Sequence, residues 1–295
     1  MNLPRHTDHN KGFVESGDIL DARQFQIVVK RLADSLAYGT DHSSFLGAGV
    51  EYVQSRPYQN GDPVRSIDWR VTARTGRVYV KEYESPKCMP VYLLVDTSAS
   101  MAVSSIRPSK YETALFVAGG IAFACLDRVS PVGLLGVGTR GLRIQPSLSK
   151  AQIMQWLLLL RSHRFDEGTR LATKLNDLSS SLTSRALVIV LSDLHEEGAL
   201  EALRLMAQRH DCAVLQFADP AEESLAGAGI MRAREAETGR EFWTHGRRQH
   251  LDRDAQVRDL RRGGVDHLVI HTDRPYIHTL RHFFASRGLL TKGAR

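Results

Sequence analysis

The feature that most constrains this fold is a pair of continuous apolar runs, Val91–Val95 and Ala186–Leu191. Each has the length of a strand and lacks the alternation of a half-exposed strand, which is typical of parallel sheets buried on both faces. Asp96 follows the first run directly, and Ser192 and Asp193 follow the second. Because open α/β sheets bind ligands at the carboxyl ends of their strands, we expect both carboxylates at one crevice.

Hydroxyl residues accompany these aspartates. The turn after the first run reads Asp96-Thr-Ser-Ala-Ser100, and a glycine-bearing turn between the two runs supplies Thr169. Hard divalent cations prefer oxygen ligands of this kind. For each residue taken alone, local turn bonding or helix capping is an alternative. Taken together, the candidate metal ligands are Asp96, Ser98, Ser100, Thr169 and Asp193.

In type and order these five residues resemble the metal-ion-dependent adhesion site (MIDAS) of von Willebrand factor type A domains. The resemblance implies an α/β fold with a doubly wound, mostly parallel sheet of the Rossmann type. It also implies that the five residues hold Mg²⁺, or Mn²⁺ or Ca²⁺ in its place. A Glu or Asp of a partner protein could then fill an open position on the cation, which makes binding metal-dependent and charge-assisted.

A second resemblance lies in the segment before the first apolar run. Its motifs are Gly47–Glu51, Arg56–Tyr58, Asn60–Asp62, Val64–Arg70, Ala73-Arg74 and Val80–Glu84. They resemble the bacterial domain-of-unknown-function family fifty-eight, whose members join such a segment to a von Willebrand A-like domain. The resemblance implies a partner or adaptor of a MoxR-type AAA+ ATPase, or of another von Willebrand A protein, in chaperone-like assembly or maturation.

The chain divides into three parts. Residues 1–17 are polar and without periodicity, so we expect a flexible N-terminus. Residues 18–89 read as an amphipathic helix at Asp21–Leu36 plus a small β-rich module, with a hairpin at Thr75-Gly76. Residues 90–290 read as the von Willebrand A-like domain, with a loop and hairpin inserted at 218–246 around Thr238-Gly239.

Strand and helix patterns alternate through the larger part, which predicts a mostly parallel sheet with helices on both faces. The predicted strands are 91–96, 132–138, 142–145, 186–192, 212–217 and 266–271. The predicted helices are 109–129, 150–161, 169–182, 197–209, 247–262 and 275–287.

Several residues suggest an enzyme, but the pattern as a whole does not. His195 follows Asp193 closely, and His163, Asp166 and Glu167 precede Thr169, so a base could stand beside a metal-bound water. However, the acids after His195 fit the first turn of a helix, and no nucleophile–base order or phosphate-binding loop is present. We therefore expect a non-enzyme, with a metal-dependent, phosphoesterase-like hydrolase as the alternative.

The charge of the chain is uneven. Lys and Arg number 39 against 33 Asp and Glu, a formal net charge of +6. A basic stretch that precedes the first apolar run contains Arg65, Arg70, Arg74, Arg77 and Lys81. It could bind nucleic acid or an acidic protein, or it could pair internally with Asp62, Asp68 and Glu82. Because no nucleic-acid motif accompanies it, we expect internal pairing or a protein partner and no nucleic acid.

The sequence predicts a cytoplasmic protein without a membrane span. The first residues contain no apolar core of a secretory signal. The longest apolar stretch, Thr113–Leu126, is shorter than the ~20 residues that a membrane-spanning helix needs. Three scattered cysteines lack the spacing of a zinc site or a disulfide framework.

Overall fold

The computed structural model describes residues 22–37, 51–84, 89–127, 129–161, 167–223, 230–234, 241–245 and 253–286. The predicted flexible N-terminus and the turn at Thr238-Gly239 lie outside these residues.

The strands are β1 (Glu51–Pro57), β2 (Tyr79–Glu84), β3 (Val91–Val95), β4 (Val132–Gly136), β5 (Arg143–Ser147), β6 (Leu187–Ser192), β7 (Asp211–Ala218), β8 (Ile230–Arg234), β9 (Glu241–His245) and β10 (Asp266–His271). The helices are α1 (Ala22–Ala37), α2 (Trp69–Thr75), α3 (Ala99–Ala102), α4 (Lys110–Leu126), α5 (Lys150–Arg161), α6 (Leu171–Ser181), α7 (Ala199–Ala207), α8 (Pro220–Glu223), α9 (Arg253–Arg262) and α10 (Ile277–Ser286). A short 3-10 helix covers Val64–Ser66.

Six strands form one sheet in the order β10-β7-β6-β3-β4-β5. All neighbours are parallel except β4 and β5, which are antiparallel. The predicted mixed α/β architecture with a mostly parallel sheet is confirmed, and each of the six predicted strands is present. The five residues of β3 are all buried, as the unbroken apolar run indicated.

Helices pack on both faces of this sheet, in an arrangement compatible with a Rossmann-like fold. Successive β3 residues alternate between two hydrophobic clusters, with Leu93 in one and Leu94 in the other. The first cluster includes residues of α1, α4, α5 and α10, and the second includes residues of α6, α7 and α9. The alternation follows from the two-residue period of a strand.

Helix α1 packs closely against α4. Gly119 and Gly120 of α4 face it, and a Cβ at Gly120 would lie 2.5 Å from Leu32. A capping box fixes the start of α4, with reciprocal bonds between the backbone and side chains of Ser109 and Glu112. Separately from this cap, the absence of side chains at Gly119 and Gly120 allows α1 and α4 to approach closely.

The predicted hairpin at Thr75-Gly76 is wrong, because these residues end a helix. Asp68 caps the N-terminus of α2 by accepting from the backbone N–H groups of Arg70 and Val71. Gly76 ends the helix in the left-handed conformation, with φ of 73°. The strand that follows, β2, pairs instead with β1, in an antiparallel two-stranded sheet.

The predicted pairing within the 218–246 insertion is confirmed, since β8 and β9 are antiparallel from Ile230 with His245 to Arg234 with Glu241. Within the described residues, no helix has both the length and the apolar character needed to cross a membrane.

Candidate cation site

The two strand-terminal aspartates lie at the same edge of the sheet. Strands β3 and β6 are parallel neighbours in register from Val91 with Leu187 to Val95 with Leu191. The backbone N–H of Asp96 continues this pairing by donating to Leu191 O at 2.9 Å. Asp96 and Asp193 are both buried. The parallel register therefore positions two carboxylates at one point of the sheet edge, as the sequence predicted.

The carboxylate of Asp96 is hydrogen-bonded to its own turn and to the neighbouring strand. Oδ1 accepts from the backbone N–H of Ser98 at 3.0 Å, and Oδ2 accepts from Ser192 Oγ at 2.5 Å. Burial, and then the negative charge of Asp193, raise the pKa of Asp96 to about 7. The two carboxylates are therefore close enough to repel each other.

The surroundings of Asp193 shift its pKa in the opposite direction to that of Asp96. Its Oδ2 accepts from Lys110 Nζ at 2.8 Å and lies 3.6 Å from His195 Nδ1. Burial favours the neutral acid, but the charges of His195 and Lys110 and the hydrogen bond from Lys110 outweigh it and lower the pKa of Asp193. Its Oδ1 is buried and has no hydrogen-bond partner among the described residues. One oxygen of an ionised, buried carboxylate is thus left for another group.

Ser98 and Ser100 complete the group at the end of β3. Their hydroxyl oxygens lie 3.0 Å apart, and both residues are buried. Ser98 occupies the N-cap position of α3, but its side chain makes no capping bond. Capping therefore does not account for the Ser98 hydroxyl, whereas the bond from the Ser98 N–H to Asp96 is an ordinary turn bond. We call Asp96, Ser98, Ser100 and Asp193 the oxygen cluster.

Thr169 lies on the next loop at the same edge. Its backbone pairs with Gly138 in an isolated antiparallel bridge, and the N–H of Arg170 donates to Val137 O at 2.8 Å. The N–H of Ala99 donates to Glu167 O at 3.0 Å, which joins this loop to the end of β3. The structure thus brings Thr169 to the end of the sheet that carries the oxygen cluster. We call the loops after β3 and β4, together with the Glu167–Thr169 loop, the rim.

The alternative capping role for Thr169 is wrong. The N-cap residue of α6 is Arg170, and its side chain makes no capping bond. Glu196 caps this helix from a distance, because its Oε2 accepts from the backbone N–H groups of Leu171 and Ala172. Glu196 therefore serves α6 and not the first turn of α7, the helix that follows it.

Glu167 is a residue whose role the sequence did not reveal. Its buried carboxylate accepts from Thr97 Oγ1 at 2.7 Å, Thr139 Oγ1 at 2.9 Å and the Arg140 N–H at 2.8 Å. A Cβ at Gly138 would lie 2.1 Å from Glu167 Oε1. Glu167 thereby joins the loops that follow β3 and β4.

The sequence also did not reveal the role of Lys110. It is buried, and its ammonium group donates to Asp193 and to Glu222 of α8, while Glu222 also pairs with Arg253 at 2.8 Å. No local pattern marked Lys110, because its two partners lie 83 and 112 positions away in the sequence. Lys110 neutralises part of the negative charge behind the oxygen cluster.

A second acidic group adjoins the cluster. Ligand atoms of Asp193, His195 and Glu222 lie within 4.8 Å of one another, a spacing that metal ligands can adopt. However, Lys110 donates to two of the three, so an ammonium ion already balances this group. A pocket of about 700 Å³ lies beside it, lined by His195, Glu196 and residues of α7 and α9, and it does not include the oxygen cluster.

The oxygen cluster fits a hard divalent cation. Its donors are carboxylates and hydroxyls, without sulfur, and the unpartnered Oδ1 of Asp193 is a buried anionic oxygen of the kind that a cation would satisfy. The mutual repulsion of Asp96 and Asp193 would also be relieved by a positive charge between them.

The family described as "Protein of unknown function DUF58" matches residues 54–262. This chain belongs to the DUF58 family. All five candidate ligands lie inside the matched part, so the site belongs to the portion that this DUF58 chain shares with its family.

Relatives of this DUF58 chain include mycobacterial proteins. Uncharacterized protein Rv1480 of Mycobacterium tuberculosis and Uncharacterized protein Mb1516 of Mycobacterium bovis are each 28% identical to it over 280 residues, 90% of this chain and 88% of theirs. Uncharacterized protein YeaD of Bacillus subtilis is 29% identical over 97 residues, 33% of this chain and 21% of its own.

Proposed function

We propose that this DUF58 chain is a cation-dependent protein-binding module of the von Willebrand A type. The observation that carries the proposal is the buried, unpartnered Oδ1 of Asp193 beside Asp96 and two hydroxyls. A bound Mg²⁺, or Mn²⁺ or Ca²⁺, would supply positive charge and an open coordination position for a carboxylate of the partner. The proposed ligands form a MIDAS-like set: Asp96, Ser98, Ser100, Thr169 and Asp193.

The proposed ligands and the residues around them have different roles. Asp96 and Asp193 provide negative charge, and the three hydroxyl residues provide neutral oxygens that leave the cation electrophilic. Glu167 and Lys110 act as positioning residues, because Glu167 joins the rim loops and Lys110 holds Oδ2 of Asp193. A partner Glu or Asp would add a charge-assisted contact that depends on the cation.

The partner that we propose is a MoxR-type AAA+ ATPase or another von Willebrand A protein, in a cytoplasmic, chaperone-like assembly. This part rests on the resemblance of the sequence motifs. We propose binding without catalysis because, among the described hydrogen bonds, the hydroxyls of Ser98 and Ser100 bond to each other and neither bonds to a histidine base. A hydrolase would instead require turnover that depends on His195 and Asp193.

Metal binding is tested by titrating Mg²⁺ into the chelated protein and following urea unfolding. At a hundredfold excess over the dissociation constant, Mg²⁺ should stabilise the wild type by about 2.7 kcal/mol. Asp96→Asn should lose this gain. Asp219→Asn is the matched control, because Asp219 is also a buried aspartate after a strand of the same sheet but lies outside the cluster. Equal gains in both variants would refute the site.

Partner binding is tested by calorimetry with a purified MoxR-type ATPase in Mg²⁺ and in EDTA. We expect affinity only in Mg²⁺, and only for chains that retain Asp96. Undiminished affinity in EDTA would contradict cation-dependent docking even if Mg²⁺ binds. Phosphoesterase turnover that disappears in His195→Ala would favour the hydrolase instead.

A further inference from the structure

An exposed surface lies on the unit formed by β1, α2 and β2. Trp69 and Ala73, and likewise Arg70 and Arg74, are one helical turn apart, and all four are exposed. The opposite side of α2, with Val71 and Thr72, is half-buried. Two further exposed arginines flank the helix in sequence, one in the 3-10 helix before it and one just past Gly76. We call the following residues the arginine face: Arg65, Trp69, Arg70, Arg74 and Arg77.

Backbone contacts fix the orientation of this face. The N–H of Asp68 donates to Tyr79 O at 2.7 Å, and the N–H of Tyr79 donates to Thr72 Oγ1 at 3.0 Å. Both ends of α2 are capped, by Asp68 and by Gly76. Because α2 is attached to β2 in this way, a partner would meet a preformed surface and would lose little free energy to ordering it.

The arginines of this face have no carboxylate partner among the described residues. Two nearby acids whose side chains the structure describes are engaged elsewhere: Asp62 binds Arg56 through two bonds of 2.8 Å, and Asp68 accepts from Ser55 Oγ at 2.7 Å and caps α2. Hydrogen bonds, chiefly from Ser55, and the charge of Lys81 lower the pKa of Asp68. The predicted internal pairing of the arginines with Asp62 and Asp68 is therefore wrong, whereas the side chain of Glu82, the third predicted partner, lies outside the described part of the structure. The described carboxylates leave this face positively charged.

Apolar side chains are exposed on the same unit. Trp69 and Val64 are each 67% exposed, and Tyr58 and Val78 are exposed to a smaller degree. Arginine and tryptophan are the residue types that most often dominate the binding energy of protein interfaces. Positive charge beside exposed apolar groups requires a counterpart that carries both carboxylates and apolar side chains.

We propose that the arginine face binds an acidic peptide segment of a partner protein, one that combines glutamate or aspartate with aliphatic residues. Carboxylates would pair with the guanidinium groups, which are suited to bidentate contacts. The aliphatic residues would cover Trp69 and Val64. A nucleic-acid backbone would match the charge but would leave Val64 without an apolar counterpart.

This surface goes beyond the cation-dependent function, because it contains none of the proposed metal ligands. Binding at the arginine face should persist in EDTA and in Asp96→Asn, and it should weaken with salt. Failure of either proposal can therefore be recognised separately.

The test is fluorescence anisotropy of the full chain with a short labelled peptide of glutamates and leucines, in EDTA. Arg70→Glu combined with Arg74→Glu should weaken binding about tenfold or more. The matched control is Arg258→Glu with Arg262→Glu, an exposed pair with the same spacing on α9. Trp69→Ala should also weaken binding, whereas Trp243→Ala, at an equally exposed tryptophan, should not.

Three results would overturn the proposal. The two arginine pairs could have equal effects, which would indicate general charge attraction. A peptide with glutamine in place of glutamate could bind equally well. A labelled single-stranded oligonucleotide could bind more tightly than the glutamate–leucine peptide, which would identify a nucleic-acid surface. Thermal unfolding of each variant establishes that it is folded, and Trp69→Ala provides a test that does not reverse any charge.

Discussion

Two aspartates that leave neighbouring parallel strands, Asp193 after β6 and Asp219 after β7, are both buried but are satisfied to different degrees. Oδ2 of Asp219 accepts from Ser104 Oγ at 2.7 Å and the Ser105 N–H at 2.8 Å. Its Oδ1 accepts from Ser105 Oγ at 2.5 Å and the Ala221 N–H at 2.9 Å. Asp193 has bonds to Oδ2 alone, and its Oδ1 has none among the described residues.

The difference separates structural carboxylates from a candidate ligand. A buried ionised group is costly unless partners compensate it. Asp219 and Glu167 are compensated fully by N–H and O–H donors, so each can join two loops without any ion. Asp193 depends on cations, on Lys110 in the protein and, as we propose, on a metal ion at Oδ1. Asp193 and Asp219 both lie at the end of a strand, so this position does not distinguish them. What distinguishes them is whether both carboxylate oxygens have hydrogen-bond donors within the protein.

The largest effect is expected at Lys110. Lys110→Met would leave Asp193 without its ammonium partner in the buried interior, and removing one member of a buried ion pair costs about 3–5 kcal/mol. Urea unfolding in EDTA measures the loss. Mg²⁺ should then stabilise the variant more than it stabilises the wild type, because a cation at Oδ1 would supply part of the missing charge.

Lys150→Met is the matched control, since Lys150 is 3.9 Å from Asp127 in an exposed pair. Such surface pairs contribute about 0–1 kcal/mol. A loss at Lys110 no greater than that at Lys150 would mean that Asp193 does not depend on cations, and the contrast with Asp219 would disappear.

Gly138 tests the fully hydrogen-bonded carboxylate of Glu167. In Gly138→Ala the new methyl group would meet the Glu167 carboxylate, which cannot move without breaking its bonds to Thr97 and Thr139. Overpacking of this kind costs about 1–3 kcal/mol. In Gly141→Ala, on the same loop, the methyl group would meet no atom within 4 Å. Equal stabilities of the two variants would show that Glu167 does not hold the rim rigidly.

The sequence predicted the fold well because the strands are buried on both faces, so their apolar runs are unbroken and their ends are marked. It failed at Thr75-Gly76, where a short apolar segment and a glycine fit a helix end as well as a hairpin turn. The side chain of Asp68 decided between them, through capping bonds that composition does not reveal.

The candidate site was predictable only in part. Local spacing placed Asp96, Ser98 and Ser100 together, and the parallel register brought in Asp193. Glu167 and Lys110 act through contacts between residues far apart in sequence, 70 positions for Glu167 with Thr97 and 83 for Lys110 with Asp193. Such partners depend on how loops pack, so no local pattern could indicate them.

The smallest effect is expected at His267, whose hydrogen bond to Gln216 is sensitive to acid. The amide of Gln216 donates to Asp193 O at 3.1 Å, and its Oε1 lies 2.9 Å from His267 Nε2, which must donate because the amide oxygen can only accept. Burial, and then the charge of Arg261, lower the pKa of His267 to about 4 from its ordinary 6.5.

Because the unfolded chain takes up this proton first, the contribution of His267 to stability is complete above pH 6.5. It declines as the pH falls toward 4, by at most about 1.4 kcal/mol for each pH unit. Compared with His267→Gln, the wild type should therefore lose about 1 kcal/mol more in urea unfolding between pH 7.5 and about pH 5.5. Parallel stability curves for the two proteins would show that His267 titrates normally, and the acid sensitivity would then belong to the carboxylates of the rim.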